Sequence, residues 1–142
     1  AVGWLEPEHA YARGPVDRAF VVKLASLFVS PREFASAAGL HHCRLCRFSH
    51  ATAPFQIDGL TVRMGASNLL VPAGEFAFMA PSLILHYLDA HEYAPPPPFV
   101  EAVLQCPPTD SREYMILAKR SCPQLVMAWA TPPGTPQAPP SI

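Results

Sequence analysis

Cys43 and Cys46 form a C-x2-C pair, and after 39 intervening residues His86 and His91 form an H-x4-H pair. Two thiolates at this spacing can approach one ion from a tight turn, and two imidazoles near the end of a helix can meet them. The order matches the ligand spacing of two-cysteine, two-histidine zinc at both ends, with an unusually long middle. Zinc suits the set because it takes mixed sulfur and nitrogen donors tetrahedrally. Four protein ligands leave no open position, so the expected site is structural.

Helix geometry raises an objection. Residues five apart in an ideal helix point about 140° from each other, so His86 and His91 converge only if the last turn tightens or unwinds. If the helix stays regular, His41 is the alternative ligand. In an extended segment His41 and Cys43 point the same way while His42 points opposite.

Other residues invite chemistry less strongly. Arg44 and Arg47 each follow a cysteine, where they either lower the thiol pKa or are solvated loop arginines. A redox role for the C-x2-C pair needs a buried strand before Cys43, and those residues do not read as one. Cys106 and Cys122 each precede a proline and have no neighbouring histidine, so they read as plain thiols. His9 and His50 read as surface residues.

The elements that must carry these groups are legible in outline. Half of the 142 residues are hydrophobic and 15% are charged, which excludes a charge-driven disordered chain for most of the length. Gly14-Pro15 signals a helix in which Val16, Phe20, Leu24, Leu27 and Phe28 recur at helical spacing. Ser30-Pro31-Arg32-Glu33 has the capping-box pattern and predicts a short helix to about Gly39. Residues 40–54 form a loop or knuckle. Extended runs follow at Ile57 with Leu60 to Met64, Asn68 to Val71 and Glu75 to Met79, broken by Asp58-Gly59, Gly65 and Pro72-Ala73-Gly74.

Pro81 is expected in the first turn of the next helix, whose face carries Leu83, Ile84, Tyr87, Leu88 and His91, and the prolines at 95–98 are expected to end it. A further helix covers Phe99 to Leu104, and another spans 111–120. The reading is α+β: a small antiparallel sheet of two or three strands packed with three to five short helices around a Cys/His zinc site. Residues 1–130 are expected to form one metal-binding domain and 131–142 a proline-rich extended tail.

Several stretches resemble a family of small uncharacterised bacterial proteins. They are Gly3-Trp4-Leu5, Gly39 to Cys46, Ala80 to Tyr87 and His91-Glu92-Tyr93-Ala94-Pro95-Pro96. The family pattern is a G-x-H-x-C-x-x-C knuckle, a glycine-punctuated strand region, then A-P-x-x-I-x-H-Y-x-x-x-H-x-Y-x-P-P and a short helix ending in Cys-Pro. The likeness spans roughly residues 3 to 107 and supports grouping these residues into one metal site, without implying an activity.

Function is constrained more by exclusion. A net charge of -1 and a pI near 6.6 leave no basic footprint for nucleic acid. No apolar run approaches the roughly 20 residues that span a bilayer, and the expected compartment is the cytoplasm. The preferred reading is a zinc-stabilised protein acting through a protein partner, as a regulator, accessory factor or immunity-type protein. The alternative is a zinc-dependent hydrolase or lyase with three protein ligands and a bound water, using Glu75, Glu92 or His41 as general base.

Overall fold

The computed structural model describes residues 1–31, 41–46 and 53–124. Its elements run α1 (Arg18–Val29), β1 (Phe55–Ile57), β2 (Leu60–Val62), β3 (Asn68–Ala73), β4 (Phe76–Pro81), α2 (Ile84–Ala90), α3 (Pro97–Gln105) and α4 (Arg112–Ser121). The architecture is α+β, with the strands divided into two separate antiparallel hairpins, β1–β2 and β3–β4. The expected helix ending near Gly39 and the tail at 131–142 fall outside the described residues.

Local chemistry explains most boundaries. Helix α1 starts later than the Gly14-Pro15 signal because Asp17 caps it, its carboxylate accepting from the Ala19 N–H at 3.0 Å. Phe20, Leu24, Leu27 and Phe28 then fill its buried face. In the first hairpin, Asp58 and Gly59 both adopt positive φ, as a two-residue turn between twisted strands requires.

Two expectations about prolines need correction. Pro81 does not open α2; it closes β4 opposite Asn68, and the Ser82 N–H extends the pairing to Ser67 O at 2.8 Å. Nor do the prolines at 95–98 end α2, which stops at Ala90. Pro97 instead begins α3, where a missing N–H costs nothing because first-turn donors have no helical partner.

The second hairpin is the centre of the packing. Leu69, Leu70, Val71 and Pro72 are all buried, with α3 and α4 packed on β3, so both faces of the strand are covered. Helix α4 is tied down by Tyr114, fully buried, whose hydroxyl donates to Leu70 O at 2.7 Å, and by Ser121, which donates to Gly74 O. Helix α1 packs on α3 and β2. No helix among the described residues is long and apolar enough to cross a membrane.

Candidate metal centre

The cysteine side is a backbone turn. Cys43 is buried, and the backbone N–H groups of Leu45 and Cys46 lie close enough to its sulfur to favour the thiolate. A backbone contact with the connection after β2 fixes that turn in place: the His41 N–H donates to Gly65 O at 3.0 Å. Gly65 has φ +77, and a Cβ there would lie 2.2 Å from His41 O, so only glycine allows the approach.

The histidine side depends on how α2 ends. Ile84, Leu85, Tyr87 and Leu88 bury the helix and leave His86 at its edge. His91 is the C-cap, with φ −124 and ψ 10, and Glu92 follows at φ 52. The Tyr93 N–H folds back to Tyr87 O at 3.1 Å. Released from helical geometry, the His91 ring comes to 5.1 Å from that of His86, at an interplanar angle of 78°. The 140° separation of a regular helix is thus removed by unwinding at the last residue.

The four donors converge. Nε2 of His91 lies 3.3 Å from the sulfurs of both Cys43 and Cys46, and Nε2 of His86 lies 3.2 Å from Cys46. All four atoms fall within 4.8 Å of one another, so Cys43, Cys46, His86 and His91 are placed to hold a metal ion. A tetrahedral ion with bonds of about 2.3 Å to sulfur and 2.0 Å to nitrogen would set sulfur–nitrogen edges near ~3.5 Å, close to those seen. Hydrogen bonding alone explains the arrangement poorly. A ring N–H points in one direction and cannot serve two sulfurs at good angles, whereas a central cation satisfies all four atoms.

The surroundings favour neutral imidazoles. Burial lowers the pKa of His86, with a smaller push from His91, and burial lowers that of His91, with a smaller push from Arg13. Burial raises the pKa of Cys43, only partly offset by the two backbone N–H groups. Tyr87 beside them is pushed up to about 12, mainly by burial and next by Cys43, and stays a neutral phenol.

The profile of DUF7919, a domain of unknown function, matches residues 1–104. The chain belongs to the DUF7919 family. The DUF7919 match takes in all four donors and ends within α3, so α4 lies beyond it. No curated protein and no solved structure matches the chain.

Other residues singled out from the sequence stand apart from the donors of this DUF7919 chain. His41 and His42 are exposed, and His41 contributes its backbone to the knuckle without joining the donor group. Glu75 sits exposed in the turn between β3 and β4, and Glu92 is exposed and pairs with Arg13 at 3.9 Å. Arg44 directs its charge toward Glu6 and Glu8. Cys106 is buried, its thiol pushed up to about 11 by burial, and Cys122 is half-buried; neither joins the group. His9 is exposed, while Arg47 and His50 lie outside the described residues. Sequence reasoning missed Tyr11, whose hydroxyl donates to His91 O at 3.2 Å, and the docking role of Gly65. Nothing local to Tyr11 signals that contact, and Gly65 read only as a strand break.

Proposed function

We propose that this chain is a zinc protein whose ion is structural and whose work is done by contact with a protein partner. The observation that carries the metal is the convergence of two sulfurs and two ring nitrogens from segments at least 40 residues apart. Mixed sulfur and nitrogen donors favour zinc over hard cations such as magnesium or calcium. Four protein donors complete a tetrahedron, which favours a structural over a catalytic ion.

The catalytic alternative receives less support. Of the three bases it would use, Glu75 is in a hairpin turn, Glu92 is paired with Arg13, and His41 is turned to solvent. Contact with a partner draws support from the apolar surface along α3. There Leu104 is half exposed beside a groove of Pro15, Val16, Phe20, Pro95 and Val100.

Native mass spectrometry of protein purified without chelators tests the metal. One zinc per chain is expected, lost in both Cys46→Ser and His86→Ala; metal-free protein after reloading with zinc would end the proposal. Cobalt substitution adds a second readout, since tetrahedral cobalt bound to thiolate absorbs strongly in the visible. For the partner, in-cell crosslinking of tagged full-length chain should give a product that Leu104→Glu abolishes while metal content is unchanged. An identical crosslinking pattern from the variant would remove the α3 surface from the reading.

A further inference from the structure

Residues 2–14 run around the Cys/His cluster and are tied to both of its halves. On the cysteine side, Arg44 lies inside the C-x2-C turn and forms ion pairs with Glu6 and Glu8. On the histidine side, Tyr11 donates to His91 O at 3.2 Å, and an antiparallel bridge joins Arg13 and Tyr93. The Gly14 N–H donates to Glu92 O at 3.0 Å and the Ala94 N–H to Ala12 O at 2.9 Å. The beginning of the segment is held elsewhere, by the Val2 N–H donating to Met79 O at 2.8 Å in β4 and by the close seating of Gly3 on Ile84.

We propose that residues 5–14 are a metal-locked strap, docked when one ion joins the Cys43–Cys46 turn to His86 and His91 and released when the ion leaves. The inference rests on the metal reading above. Its physical basis is that the middle and the end of the strap grip two elements that no strand pairing joins. Arg44 rides on a turn whose sulfurs are held by the ion, and His91 to Ala94 form the unwound end of α2. With the ion bound, both grips sit at a fixed separation; without it, four converging donors lose their common partner and the two sides relax independently. The Arg44 ion pairs are exposed and individually weak, and the Tyr11–His91 bond is only part-buried, so the strap holds when its contacts register together. Linkage makes the effect reciprocal: what undocks the strap must also loosen the metal.

Hydrogen exchange on full-length protein, with and without a zinc chelator, tests this directly. Chelation should bring the Gly14 and Ala94 amides to within about tenfold of the exchange rate of an unfolded chain, while the β3–β4 amides, though accelerated by the lost binding free energy, stay protected by at least about a thousandfold. Loss of protection in β3–β4 as well would overturn the strap, because the ion would then hold the whole fold. Unchanged exchange at Gly14 and Ala94, with metal loss verified by mass spectrometry, would overturn the strap and leave the metal reading standing. Absence of bound zinc after reloading would end both. In the reverse direction, Tyr11→Phe and Arg44→Gln, each able to carry one zinc, should hold it roughly fivefold more weakly than the parent in equilibrium competition with a coloured chelator. A zinc affinity equal to the parent's in both variants would also overturn the proposal.

Discussion

At the scale of single residues, the donors are defined by their protonation. A metal must displace the thiol protons, and it must find both imidazoles neutral. Burial lowers the pKa of His86 and His91, which keeps them neutral into mildly acid solution, and raises that of Cys43, which keeps its proton on near neutrality. Proton competition near neutral pH therefore falls on sulfur, so zinc affinity should rise with pH between about 6 and 8 and binding should release protons. Calorimetry in buffers of different ionisation enthalpy measures both; an affinity flat across that range would contradict the assignment. Gly65 gives a second residue-level prediction. Gly74 has the same φ of +77 with open space around it, so Gly74→Ala incurs only the left-handed backbone penalty, about 1–2 kcal/mol. Gly65→Ala adds a collision with His41 O and should cost at least about 2 kcal/mol more in urea unfolding, with weaker zinc binding.

The elements were readable where period and caps agree. The apolar stripes of α1 and α3, and the span of α4, follow from spacing, and the capping Ser111 accepts from the Tyr114 N–H at 3.1 Å. Pro81 and the prolines at 95–98, misread above, lie at junctions, where a residue with fixed φ and no N–H fits a strand end, the connection after a helix or a helix start. What covers a strand was not readable at all. Helix α4, beyond the family match, depends on Tyr114 reaching Leu70 O. Tyr114→Phe should destabilise the chain by about 1–2 kcal/mol, since the buried carbonyl loses that donor. Urea denaturation measures this, and a zinc content equal to the parent's is expected because α4 contributes no donor.

For the whole molecule, the proposed ion joins a loop near residue 45 to the end of a helix near residue 90, and its binding free energy adds to that of folding. At a thousandfold excess of zinc over its dissociation constant this is about 4 kcal/mol, or a rise in Tm of roughly 10 °C or more. Calorimetry against a chelated sample tests it, with a shift under a few degrees counting against an ion that ties the fold together. The sequence by itself determined the candidate donors, with His41 left as the alternative ligand, the α+β class and most helix spans, because ligand chemistry and hydrophobic period are carried by residue type and local spacing. Only the tertiary structure decided that His91 leaves its helix to meet His86, that His41 serves through its backbone, and that residues 2–14 wrap both halves of the site. These depend on chain segments distant in sequence meeting in space, through a positive φ at Glu92, a missing Cβ at Gly65 and a hydroxyl at Tyr11, and no local pattern records such meetings.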